Sequence, residues 1–234
     1  GVLASSVAMD KSFAKPIFAA AGIKVAEGFV VTKEEWANDK GGCAKRIATL
    51  GYPVFVKPAR GGSSRGTHKV HNADELEKAI TDTHTYDRKA IIENAVVGKE
   101  IECAVLEFNG APHASVVGKI KISDSFEFYD FEAKYLDGAT SIELPAPIPA
   151  QASKEIQEKA IKAFVALGCA GLARVDFFYT SHGEIIINEL NTMPGFTPTS
   201  VFPKMWAATG KNYTEIISAL LTSALTRTNG VLGN

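Results

Sequence analysis

The stretch GLARVDFFYTSHGEIIINELNTMPGF, residues 171–196, holds two apolar runs punctuated by charges and separated by a short polar turn. Side chains two apart on a strand point to the same face. Arg174 and Asp176 can therefore share a face, and so can Glu189 and Asn191. If strands at 171–179 and 184–190 pair through Ser181-His182-Gly183, three oxygen ligands and one guanidinium converge. Hard oxygen ligands suit magnesium, which takes one or two carboxylates and completes its shell with substrate phosphates. The alternative is a half-exposed hairpin whose alternating charges are simply solvated. Against it, Phe177, Phe178 and Ile185 to Ile187 are strongly apolar, and such surroundings bury charges unless a metal or ligand answers them.

Upstream, Pro53-Val54-Phe55-Val56-Lys57-Pro58 reads as a short buried strand ended by proline. It leads into Arg60-Gly61-Gly62-Ser63-Ser64-Arg65-Gly66, whose small residues let backbone N–H groups approach phosphate oxygens while Lys57 adds a cation. The loop lacks the terminal Gly-Lys-Ser/Thr of a phosphate-binding loop and is not a dinucleotide fingerprint. On its own it reads equally as a surface turn. Downstream, Gly195 in Met193-Pro194-Gly195-Phe196 can present its N–H to a ligand without steric penalty, or can simply end a strand.

Periodicity predicts a helix over 10–21, with Asp10 as N-cap, Gly22 as stop and a kink at Pro16. A strand over 27–32 and a helix within 33–50, interrupted near Gly41-Gly42, come next. Then follow a strand at 67–70, a helix at 73–83 and a strand at 90–93. Val97-Gly98 is the predicted boundary, giving units 1–97 and 98–226 and a tail 227–234. Strands 100–108 and 111–122 meet at an Asn109-Gly110 turn. Residues 123–139 lack periodicity and have the length of a lid. Helices are expected at 152–167, 201–208 and 213–224.

The chain of 234 residues has a formal net charge of −1 and no basic block, which argues against nucleic acid or an anionic membrane as the main partner. Its apolar runs are too short to cross a bilayer. Cys43, Cys103 and Cys169 are scattered and odd in number, so a disulfide framework or zinc site has no support and a reducing cytosol fits. The five histidines form no ligand cluster, and Trp36 and Trp206 read as packing groups.

Taken in order, several segments resemble the ATP-grasp ligases, specifically the D-alanine–D-alanine ligase family. They are Met9-Asp10-Lys11, Val56-Lys57-Pro58, Gly62-Ser63-Ser64, Ile92-Glu93, the run Phe128 to Tyr135, Gly171 to Asp176, and Asn188 to Phe196. The resemblance implies an α+β fold: a central α+β subdomain, an antiparallel-sheet catalytic subdomain and an omega-type lid. It further implies ATP and two magnesium ions, with manganese as an alternative, and D-alanine as substrate.

By the same resemblance Lys11, Lys57 and Lys134 would meet ATP phosphates. Glu93, Glu100 and backbone at Asn94 to Val96 would hold the adenine and ribose side. Asp176, Glu189 and Asn191 would bind metal, while Ser200 and Val201 would meet the second substrate. Arg174 and the Gly195 N–H would stabilise the oxyanion, and Tyr135 of the lid would close onto Ser63. A homodimer is implied. So is a domain preceding Gly1, without which the chain is expected to bind Mg·ATP weakly and make little dipeptide. In the family it resembles, ligases with a hydroxyl acceptor often carry a lid histidine, so its absence between 123 and 139 implies an amine acceptor, with D-serine and D-lactate as the alternatives to D-alanine.

Overall fold

A computed structural model describes residues 1–122, 140–197 and 200–227. Among these residues the chain forms two antiparallel sheets flanked by helices. The first sheet has the order β1 (Gly28–Thr32), β4 (Lys89–Asn94), β2 (Val54–Pro58), β3 (His68–Val70). Its inward residues Val31, Val54, Val56, Val70 and Ile92 pack against three helices: α3 (Lys33–Asn38), α4 (Lys40–Ala48) and α5 (Leu76–Tyr86). A 3-10 turn, Ala73–Glu75, precedes α5.

The break between α3 and α4 falls at Asp39 and not at the glycines. The Asp39 carboxylate accepts the Gly42 N–H at 2.8 Å, so Gly41 and Gly42 lie in the first turn of a capped helix. Helix α2 (Lys11–Ala20), preceded by α1 (Val2–Met9), runs unbroken across Pro16. Asp10 caps α2 as expected, accepting the Ser12 N–H at 3.0 Å.

The second sheet has the order β7 (Thr140–Glu143), β6 (Ala111–Ile122), β5 (Gly98–Phe108), β8 (Leu172–Thr180), β9 (Ile185–Asn191). Strand β7 escaped sequence reasoning. Asn109 and Gly110, at φ 52° and 75°, join β5 to β6 in the left-handed conformation that matches strand twist.

Alternation along β5 sorts its residues between two cores. Ile101, Cys103 and Val105 join the core under α1, α2 and α6 (Ala150–Ala166). Ala104 and Leu106 join Phe202, Met205, Trp206 and Ile216, from α7 (Val201–Ala208) and α8 (Tyr213–Thr226). Ala8, Ala14 and Phe18 also pack with the second sheet, so α1 and α2 belong with it by contact although they precede the first in the chain. Among the described residues no helix is long and apolar enough to cross a membrane.

Strand β9 changes phase once. Asp176 pairs with Glu189 but Phe177 pairs with Ile187, which leaves Asn188 as an extra residue. Ile185 and Ile187 face the core, and so does Leu190. The bulge therefore lifts Glu189 out of the apolar face that strict alternation would have assigned it.

Candidate active site between the two sheets

A cavity of about 660 Å³ lies between the sheets, of a size suited to a small-molecule ligand. Phe55 and Lys57 of β2 and Glu93 of β4 line it from one side; Glu100 of β5, Ile120 of β6 and Glu189 of β9 line it from the other. Six lysines (11, 57, 69, 99, 119 and 121) reach its wall against three glutamates (93, 100 and 189). That excess of cations favours a polyanionic ligand.

The first turn of α2 delivers Lys11, whose Nζ donates to the Gly61 carbonyl at 2.9 Å and pairs with Glu189 at 3.1 Å. One helical turn later Lys15 pairs with Glu93, and the other Glu93 oxygen lies 2.7 Å from Lys57 Nζ. Lys57 also donates to Asn188 Oδ1 at 3.3 Å, tying the first sheet to the bulge of the second. Burial alone would raise the Glu93 carboxyl, but the Lys57 and Lys15 ammonium groups outweigh it and hold the carboxyl at about 2. Burial pushes Lys15 below the usual lysine range, opposed by Glu93. Glu93 is 3% exposed, and both of its oxygens are engaged by lysines.

Ser63 and Ser64 line the cavity with φ of 51° and 56°, a conformation that costs an L-residue about 1–2 kcal/mol each. Residues around the loop impose it. Thr83 Oγ1 donates to the Gly66 carbonyl at 2.9 Å, and Arg60 grips Asp87 through Nε at 2.9 Å and Nη2 at 2.6 Å. Gly66, at φ 67°, sits so close to Tyr86 that a Cβ would come within 2.5 Å of the ring. Strain held by surrounding structure is characteristic of ligand-binding loops.

Beside the cavity a smaller recess is lined by Glu100, Glu102, Arg174, Asp176 and Glu189. Arg174 holds Asp176 in a fork, Nε to Oδ1 at 2.8 Å and Nη2 to Oδ2 at 2.7 Å. Asn191 donates to the same Oδ2 at 3.2 Å. Burial opposes the charge of Arg174, yet Asp176 and Glu102 raise its pKa well above the ordinary value. Asp176 and Glu189 are Cα partners, so the hairpin brings the two carboxylates side by side with Asn191 one step along. Among the described residues no three His, Cys, Asp or Glu side chains form a metal-binding group. Two carboxylates and an amide are the donor set of an ion that draws its remaining ligands from phosphate and water.

The structure thus gathers Lys11, Lys57, Ser63, Glu93, Glu100 and Glu189 around one cavity, with Arg174, Asp176 and Asn191 adjoining. Of the backbone groups expected to meet the nucleotide, the Asn94 and Ala95 N–H groups are bound to the Glu27 and Pro53 carbonyls at 3.0 and 3.1 Å. Gly195 lies beyond β9 against Ser200, where an added Cβ would come within 3.0 Å of Oγ. The Ser200 hydroxyl accepts the Thr197 N–H at 3.0 Å, and Val201 opens α7. None of Gly195, Ser200 and Val201 lines either cavity. Lys134 and Tyr135 lie outside the described residues.

Sequence reasoning missed Lys15, Glu102 and Asn188. The first two had a signal: Lys15 is one turn from Lys11 on a helix, and Glu102 is two residues from Glu100 on a strand. Asn188 had none, because its place depends on the bulge.

A family profile described as "D-ala D-ala ligase C-terminus" matches residues 17–222. The chain is 51% identical over 99% of its length to a D-alanine–D-alanine ligase of Arthrobacter sp. strain FB24, of which it spans 62%. It is 46% identical to the Streptomyces coelicolor enzyme of that name over 99% of this chain and 60% of the other. Among solved structures it resembles the VanG D-Ala:D-Ser ligase of Enterococcus faecalis at TM-score 0.83 and 38% identity, covering 94% of this chain and 62% of that one. The Coxiella burnetii D-alanine–D-alanine ligase is similar at TM-score 0.82 and 33% identity, covering 96% and 59%. With this similarity, the two antiparallel sheets and the lysine-lined cavity between them constitute an ATP-grasp fold in this chain. By profile, sequence and fold together, this chain belongs to the D-alanine–D-alanine ligase family.

Proposed function

We propose that this chain forms the ATP-binding and catalytic part of a cytoplasmic, homodimeric ligase that joins two D-alanine molecules for peptidoglycan precursor synthesis. One observation carries the reading: the forked Arg174–Asp176 pair and Glu189 stand at the edge of a cavity whose wall carries an excess of lysines. A site that only held nucleotide would have no use for a guanidinium beside its metal-binding carboxylates.

ATP supplies the phosphoryl group that turns a poor carboxylate electrophile into an acyl phosphate, and two magnesium ions, or manganese, would neutralise its charge. The oxygens of Asp176, Glu189 and Asn191 have the chemistry to hold those ions. Lys11 and Lys57 draw in the phosphates, and Glu93 holds Lys57 in place. Glu100 reaches the ribose side of the cavity. Arg174, with the Gly195 N–H, stabilises the oxyanion formed when the second amine attacks. Ser200 and Val201 meet the carboxylate of the incoming amino acid. The strained Ser63–Ser64 loop lines the part of the cavity where the phosphates would lie. The two gripping halves divide at residue 97, except that α1 and α2 pack with the second.

The test is phosphate release and dipeptide formation by the full-length protein, with D-alanine compared against L-alanine, D-serine and D-lactate as second substrate. D-alanine-dependent release with D-alanyl-D-alanine formed supports the reading. Preference for D-serine, the acceptor in the VanG enzyme, changes the substrate and keeps the chemistry. Release indifferent to D-amino acids, or no release, overturns it.

A further inference from the structure

Arg174 touches two carboxylates. Besides the fork to Asp176, its Nε lies 3.2 Å from Glu102 Oε2. Glu102 is 4% exposed and stands on the central strand of its sheet, where it has little freedom to move. Its Cα partner on β8 is Asp176, and the partner of Asp176 on β9 is Glu189. Three carboxylates thus form a row across three neighbouring strands, with Asp176 in the middle. Like charges directly opposite one another destabilise a sheet, so the row needs cations.

Both Asp176 oxygens already accept hydrogen bonds, Oδ1 from Arg174 and Oδ2 from Arg174 and Asn191. A divalent ion taking Asp176 competes with Arg174 for the same oxygens. A buried guanidinium that loses its anion carries a heavy desolvation penalty. We infer that Glu102 is a positioning residue that keeps the Arg174 guanidinium in place while Asp176 turns to metal. Glu102 thereby lets one carboxylate serve both the oxyanion-stabilising arginine and the cation. This inference rests on the ligase reading of Asp176 and Arg174.

The test is a double-mutant cycle on the full chain, reading Mn2+ affinity by electron paramagnetic resonance in the presence of a non-hydrolysable ATP analogue. With Arg174 present, Glu102→Gln is expected to weaken Mn2+ binding roughly 10-fold, the lower end for loss of a group supporting a metal ligand. In an Arg174→Met background the same change is expected to shift affinity less than about twofold, because the two residues act as one unit. An equal loss in both backgrounds makes Glu102 a direct contributor to the ion's field and overturns the inference, as does no loss in either. If Glu102→Gln fails to fold, Glu102→Asp, which retains the charge but not the reach, replaces it in the cycle with the same outcomes. Asp176→Asn is measured alongside. Unchanged Mn2+ affinity there overturns the metal reading and this inference together, whereas an Asp176-dependent site with additive Glu102 and Arg174 effects overturns this inference alone.

Discussion

Lys57 of β2 and Glu93 of β4 meet with Nζ 2.7 Å from Oε2, and Lys15 of α2 closes on the other oxygen. One buried carboxylate is shared by two ammonium groups, one from the sheet and one from the helix. Glu93 is held at about 2 against an ordinary 4.5, so its contribution to stability is complete above pH 4.5 and is lost as pH falls towards 2. The shift corresponds to roughly 3 kcal/mol. Glu93→Gln is expected to lose about that much at neutral pH and to flatten the decline between pH 4.5 and 2. Urea unfolding across that range checks both.

Arg174→Lys keeps the charge and gives up the fork to Asp176. If the full-length protein is the proposed ligase, its turnover is expected to fall on the order of 100-fold to 1,000-fold, the usual cost of one oxyanion donor. Nucleotide affinity is expected to change little, since the lysines that line the cavity are untouched. Single-turnover kinetics beside nucleotide titration separates the two. A parallel loss of both would move Arg174 from chemistry to binding.

Gly66→Ala meets two obstacles, the φ of 67° and the Tyr86 ring 2.5 Å from the new Cβ. It is expected to cost at least about 1–2 kcal/mol and to raise KM for ATP by disordering the Ser63–Ser64 loop. Tyr86→Ala in the same chain should restore the part due to the ring and leave the part due to φ. Thermal melts of the single and double variants measure the split.

Asp39→Ala removes the cap of α4 and is expected to cost about 1 kcal/mol, a fall in Tm of about 2–4 °C for a chain of this size. Asp39 lines neither cavity, so KM and kcat should hold.

The sheets were legible where one face was apolar. β2 and β4 read directly from Val54-Phe55-Val56 and Ala90-Ile91-Ile92, and the β5–β6 hairpin from Asn109-Gly110. The hairpin of β8 and β9 was legible down to its convergent charges. Asp39 was not, because two adjacent glycines are a louder local breaker than one aspartate, while the actual break follows from a side chain folding back on Gly42. Lys15 was hidden for a different reason. A lysine on a helix is ordinarily solvated, and only the tertiary arrival of Glu93 makes this one buried. The bulge at Asn188 is likewise a product of pairing rather than of local sequence.

The cavity has one wall in each sheet, and only residues 95–97 lie between the end of β4 and the start of β5. A ligand bound between Lys57 and Glu189 is therefore also a fastener. Its binding free energy, about 2.7 kcal/mol at a hundredfold excess over Kd, is added to the joint between the sheets rather than to either alone. Calorimetry of the free protein is expected to resolve two melting steps, one per sheet, and saturating nucleotide to fuse them. Fusion of the two steps would make the bound nucleotide a source of cooperativity beyond the Lys57–Asn188 contact that already links the sheets.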